Sequence, residues 1–282
     1  MVGGEVAVLL GRRRILGLGA VAAASTLPLQ VARAAAPEPF DGDPFKSFQW
    51  PELKKEFLPA GARVQFDARV RVLGPAFAED PMNVPITVSA DLPGVQRLIV
   101  LVDRNPIRKV LELQPLAAQP AVSFRFKLEQ ASPVRALALT ADGLWHVGGT
   151  WVDSSGGGCT VAGATRADGS WTQTLGQVSG RVFASGLPSS SNPGDSAARL
   201  RVRIMHPMDT GLVNGIPAFY VSKLSVRDGQ DRELLRIQTF EPVSENPVFS
   251  FDFARPPVGP LRIVGVDNNG NRIDSRIDGP PP

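Results

Sequence analysis

The chain has 282 residues and a formal net charge of +3; it is 43% hydrophobic and 20% charged, with two histidines and one cysteine. A hydrophobic share of this size builds a core and excludes a disordered chain, and the length suits two domains of about 100 to 150 residues. The 28 glycines and 26 prolines punctuate the sequence with turns, which excludes a helical bundle and favours an all-β protein.

The first 34 residues read as an export address. Arg12-Arg13-Arg14 precedes a Gly- and Ala-rich apolar run reaching Leu29, and Ala32-Arg33-Ala34 offers small residues where a signal peptidase cuts. This is the pattern of a twin-arginine signal, so the expected location is the periplasm. The run falls short of the roughly 20 apolar residues that span a bilayer. Arg12, Arg13, Arg14 and Arg33 against Glu5 give the segment +3, so its removal leaves a mature chain near neutrality. With no basic face interleaved with aromatics visible in the sequence, neither nucleic acid nor, after cleavage, membrane is expected as a partner.

Phe45, Phe48, Trp50, Leu53 and Phe57 then recur at mixed three- and four-residue spacings, predicting a short amphipathic helix that starts or breaks near Pro51. From Ala62 the period changes. "ARVQFDARVRVLG", "VPITVSA", "QRLIVLVD", "AVSFRFKLEQ" and "VRALALTADGLWHVGGTWV" are strand-length, rich in Val, Ile and Phe, and bounded by Pro, Gly, Asn and Asp. They predict a first antiparallel sandwich over residues 43–153. Residues 154–197 are dense in Gly, Ser, Thr and Ala, with one short strand expected at 178–183, and read as a loop and interdomain linker. "ARLRVRIMH", "AFYVSKLSVRD", "ELLRIQTFE", "PVFSFDFA" and "LRIVGVDNNGNRID" predict a second sandwich over 198–278, in which Asn268-Asn269-Gly270 marks a hairpin turn.

Little here supports catalysis. Two histidines and one cysteine cannot supply a four-ligand structural zinc site of the Cys and His type, and the glycines before Cys159 are followed by Thr160-Val161-Ala162 rather than by the Lys of a phosphate loop. A hydrolase using Cys159 with His146 or His206 is the enzymatic alternative. Three consecutive glycines before the thiol, Gly156, Gly157 and Gly158, argue for backbone freedom instead of the fixed register a nucleophile needs. His146 is expected to pack in a strand, and His206, before Pro207, to orient a loop. No enzyme and no cofactor is expected. A lone cysteine in an oxidising compartment is either inert or bonded to another molecule, and its Ser, Gly and Thr flanks point to an exposed, reactive thiol on a flexible hinge.

"GGGCTVAG" after "LWHVGGTWVD" resembles the Gly-Gly-Cys-Gly-Gly arm of SoxY, the carrier subunit of bacterial thiosulfate oxidation. "RVRIMHPMDTGL", "IPAFYVSKLSVRDG" and "FEPVSENPVFSFDF" resemble its partner subunit SoxZ, above all in His206-Pro207-Met208 and Ser244-Glu245-Asn246-Pro247. The whole is similar to fused SoxYZ-like carriers associated with quinoprotein dehydrogenases. The resemblance implies two immunoglobulin-like β-sandwiches, with Cys159 carrying a small, sulfur-containing group covalently and Gly157 and Gly158 as the arm's leading glycines. It also implies periplasmic redox enzymes, a quinoprotein dehydrogenase or Sox-type proteins, as partners. Thr160 and Val161 replace the two glycines after the cysteine, and the arm is tethered at both ends. The alternative is an accessory module that docks on a dehydrogenase or cytochrome without covalent chemistry.

Overall fold

The computed structural model describes residues 1–4, 40–184 and 198–279. The export segment therefore lies almost wholly outside the described residues, and Met1 to Gly4 are exposed. The single predicted helix is α1 (Trp50–Phe57), with Pro51 in its first turn, where the missing N–H costs nothing.

Nine strands follow: β1 (Arg63–Phe66), β2 (Val70–Leu73), β3 (Phe77–Ala78), β4 (Val84–Ala90), β5 (Val95–Val102), β6 (Lys109–Gln114), β7 (Ala121–Phe126), β8 (Ser132–Thr140) and β9 (Leu144–Ser154). Two short helices, α2 (Ala164–Asp168) and α3 (Trp171–Thr174), lead to β10 (Val178–Ala184). β10 is the strand expected at 178–183 and pairs along its whole length with the next strand, while α2 and α3 are folded elements that the loop-and-linker reading did not foresee. That strand is β11 (Ala198–Ile204), followed by β12 (Val221–Arg227), β13 (Glu233–Thr239), β14 (Val248–Phe253), β15 (Leu261–Asp267) and β16 (Arg272–Ile277).

These strands form two sheets, in the orders β1-β9-β8-β5-β6-β13-β12-β15-β16, with β3 beside β9, and β10-β11-β14-β7-β4-β2. Each sheet runs through both halves of the chain. The joins are β6 with β13, where Leu113 faces Ile237, and β7 with β14, where Ser123 faces Ser250. The β6 stretch "KVLELQ" went unread in the sequence because Pro106 and Pro115 frame only a few residues of pattern. It is nonetheless the strand that joins the larger sheet across the halves.

Alternation explains the layers. β11 buries Leu200, Val202 and Ile204 and exposes Arg201 and Arg203, and β7 buries Phe124 and Phe126 around exposed Arg125. A core of inward-facing residues, from Val70 and Phe126 to Phe251 and Ile277, runs between the sheets through both halves. β5 and β8 read as continuous apolar runs because their outer face is also covered: α1 lays Trp50 and Leu53 on Ile99, Leu101, Leu137 and Trp145. Under α1, Arg135 is fully buried between Asp43 and Asp103, bonded to both at 2.6 to 2.8 Å, with its guanidinium over the Trp50 ring at 4.6 Å. At the hairpin, Gly270 adopts φ +89°, and Asp267 accepts the Asn269 and Asn271 N–H groups at 2.9 Å.

Candidate functional site

β9 ends at Ser154 and delivers the chain to Gly156, whose N–H donates to Ser154 Oγ at 3.0 Å. Gly156 and Gly157 take φ +93° and +85°, values that side chains resist, and turn the chain back against Leu128 and Glu129 in the segment between β7 and β8. Gly158 serves close approach. A Cβ there would run into Pro81 O and stand 2.6 Å from Leu128 N and O. The three residues read as a hinge are therefore a tight turn followed by a point of backbone contact.

Cys159 is fully buried, where the sequence reading expected an exposed and mobile thiol. The local flanks are polar, but the burial comes from residues far away in the chain. Its N–H donates to Glu129 Oε2 at 2.8 Å, and its carbonyl accepts Thr210 Oγ1–H at 2.6 Å. The thiol points to the Lys127 carbonyl at 3.7 Å, which also accepts Asn105 Nδ2–H at 2.7 Å. Thr160 Oγ1 adds a bond to Glu129 Oε1 at 3.0 Å, and Gly157 N–H donates to the Glu129 carbonyl at 3.2 Å. Burial pushes the thiol pKa up to about 12; the Glu129 charge adds to the rise and the Lys127 ammonium opposes it. In this closed arrangement the sulfur is a protonated, shielded thiol.

The second half of the chain supplies the other wall. Lys127 is 2% exposed, its ammonium donates to Met208 O, and burial lowers its pKa against the pull of Cys159, Asp209 and Glu245. Met208 is buried with φ +51°, a conformation costly for a side-chain-bearing residue, and its N–H donates to His206 Nδ1 at 3.1 Å. That bond places the imidazole proton on Nε2, which lies 3.5 Å from Asp267 Oδ2, too far for a full hydrogen bond. Burial moves His206 down to about 4, with Asp267 pulling the other way. His206 packs its ring against Phe219, centroids 4.4 Å apart and planes tilted by 53°, and accepts Asn246 N–H on its carbonyl at 2.8 Å. Glu245 accepts the N–H groups of Ala164 and Thr165 at 2.9 and 2.7 Å, tying α2 down beyond the thiol, and Arg166 grips Asp209 through Nε at 2.9 Å. His206-Pro207-Met208 and Ser244-Glu245-Asn246-Pro247 thus converge at the seat of the cysteine.

His146 is elsewhere and does not meet the thiol's surroundings. It is buried in β9, with Nδ1 2.8 Å from Asp67 and 3.0 Å from Gln65 Nε2. Sequence reasoning missed Lys127, Glu129, Asn105, Asp209 and Thr210. "FKLE" after an apolar strand was the available signal, because a lysine and a glutamate closing a buried strand need partners.

The fold and site define a double β-sandwich whose two halves share their sheets and enclose one thiol between them. Residues 54–159 match the family Sulfur oxidation protein SoxY, a match that ends on Cys159, and residues 188–278 match Sulphur oxidation protein SoxZ. The chain is a fused SoxYZ-like protein, SoxY domain first. Among solved structures it is similar to the sulfur carrier protein SoxY from Chlorobium limicola f thiosulfatophilum, at 19% identity and TM-score 0.33, over 37% of this chain and 94% of that one. It is also similar to a superoxide reductase (neelaredoxin) from Ignicoccus hospitalis, at 11% identity and TM-score 0.29, over 33% and 94%. No curated protein sequence matches. The SoxY and SoxZ domains support a sulfur-carrier-like role, and proteins of this family work with partner enzymes in sulfur oxidation.

Proposed function

We propose that this chain is a periplasmic carrier whose Cys159 takes up a small sulfur-containing group covalently and presents it to partner redox enzymes. The observation that carries the reading is the convergence of SoxY- and SoxZ-matched residues on one thiol. Glu129 and Lys127 approach it from the first half and Met208 and Thr210 from the second. Joining the thiol to the sulfur of a thiol-like cargo forms an S–S bond and releases two protons and two electrons. A quinoprotein dehydrogenase, a cytochrome or a Sox-type protein is the acceptor for those electrons. The chain itself supplies the attachment sulfur and the seat.

Carriage requires the seat to open, because a fully buried thiol with a pKa of about 12 is neither reachable nor nucleophilic. The bonds from Glu129 and Thr210 are the ones that opening breaks, and closing again over a loaded sulfur shields it from adventitious thiols. Intact-mass spectrometry of protein isolated from its native periplasm, with and without reductant, tests this. A reducible adduct mapped to Cys159, lost in Cys159→Ser, is the expected result; a bare thiol in every molecule refutes it.

The burial of Cys159 favours a second reading, a non-covalent accessory module in which the cysteine only packs. That reading expects Cys159→Ser to keep full function. Export by the twin-arginine route is checked by replacing Arg12 and Arg13 with Lys, which should retain the precursor inside the cell.

A further inference from the structure

The outer face of the β10-β11-β14-β7 sheet carries Arg181, Arg201, Arg203 and Arg125, all exposed, around a groove of about 640 Å³. Among the described residues none of the four forms an ion pair, whereas Arg199, on the same face, is paired with Asp252 at 2.7 Å. Arg181 stands directly opposite Arg201 in the strand register, a like-charge placement that destabilises a sheet unless an anion occupies it. Glu245, the carboxylate lining the groove, is consumed by Ala164 and Thr165 of α2. The sequence reading foresaw no basic face, because the arginines come from three strands well separated in the chain.

We infer that this face is the docking surface for an acidic segment of a partner protein. The groove is wide rather than enclosing: β10 and β7 are three strand spacings apart, roughly 14 Å, and Arg201 and Arg203 lie about 7 Å apart along β11. Such a spread suits successive carboxylates of an extended chain rather than one small oxyanion. Guanidinium forks hold carboxylates bidentately, which ammonium groups do not. Phe183, 40% exposed and 5.4 Å from the Arg181 guanidinium, offers a partner chain an apolar contact beside the charges. Glu245 both lines this groove and ties down the segment beyond Cys159, so a docked partner sits beside the carrier seat. Only that last point rests on the carrier reading.

Anisotropy of a fluorescein-labelled hexaglutamate peptide tests the surface on the full chain. Saturable binding at low salt is expected, weakened at least tenfold by the Arg181→Ser/Arg201→Ser pair and by 300 mM salt. The melting temperature of that variant should not fall, since a like-charge pair is removed. Arg125→Ser/Arg203→Ser should weaken binding similarly, and Arg201→Lys less than Arg201→Ser. Cys159→Ser should bind as the unaltered protein does, so failure of the carrier reading leaves this inference standing. Wild-type affinity in both double variants overturns it. So does stoichiometric displacement by sulfate or thiosulfate, or tighter binding of a single-stranded DNA of equal charge. Tenfold tighter binding by Asp195→Asn assigns the groove to the chain's own residues 185–197 and overturns it equally.

Discussion

Replacing Glu129 with Gln should make Cys159 reactive. In the folded protein a thiol pKa of about 12, against an ordinary 9.0, leaves ~0.01% thiolate at pH 8 instead of ~10%, a thousandfold suppression before burial is counted. The Glu129 carboxylate contributes to that rise and also accepts the Cys159 N–H at 2.8 Å and the Thr160 hydroxyl at 3.0 Å. An amide in its place removes the charge and turns two charge-assisted bonds into neutral ones, worth about 1 to 2 kcal/mol in holding the segment closed. At 1.36 kcal/mol per decade, the open population rises roughly 5- to 30-fold. Iodoacetamide labelling followed by intact mass from pH 7 to 10 reads both effects, with guanidinium-denatured protein as the reference. The unaltered protein should label at least ~1000-fold more slowly than the denatured chain at pH 8, and the Gln variant about tenfold faster than the unaltered protein, with a melting temperature lower by only about 2 to 8 °C. Equal labelling of folded and denatured protein would refute the closed seat, and an unchanged rate in the variant would refute the latch.

Gly158→Ala should destabilise by about 1 to 3 kcal/mol, because the new methyl meets the backbone of Pro81 and Leu128, and should expose Cys159 to the same reagent. Gly157→Ala meets only Val161 at 3.9 Å but must hold φ +85°, so its cost, about 1 kcal/mol or more, is conformational; denaturant titration of the two separates the causes. Acid should weaken the fold through His206. The unfolded chain binds a proton near pH 6.5 while the folded one waits until about 4, so stability is complete above 6.5 and about 3 kcal/mol is lost as pH falls to 4. His206→Gln should flatten that slope in urea titrations at pH 6.5, 5.5 and 4.5, and an unchanged slope would assign the acid sensitivity elsewhere.

Much of the fold was legible because it is written in short-range periodicity. Alternation in "ARLRVRIMH" gave β11, the Pro51 signal placed α1, and Asn268-Asn269-Gly270 gave the last hairpin. β6 was not legible, being six residues between prolines, and with it went the join of β6 to β13. The site was half legible. The cysteine and its glycines stood out, and the SoxZ-like motifs were recognised, but nothing local said that the two would meet.

By itself the sequence determined the all-β class, the strand faces and the identity of the single thiol, all of which depend on residues a few positions apart, whereas the glycines before that thiol read as a hinge and fold as a tight turn. Only the tertiary structure decided the state of that thiol. Glu129, Lys127 and Thr210 reach Cys159 across 30, 32 and 51 residues of chain, and long-range contacts of this kind set burial and therefore pKa. A run of Ser, Gly and Thr is polar wherever it lies, but whether it faces water depends on what packs over it. Here the second domain does, through Met208, Asp209 and Thr210, and it turns a segment that reads as a displayed arm into a closed seat.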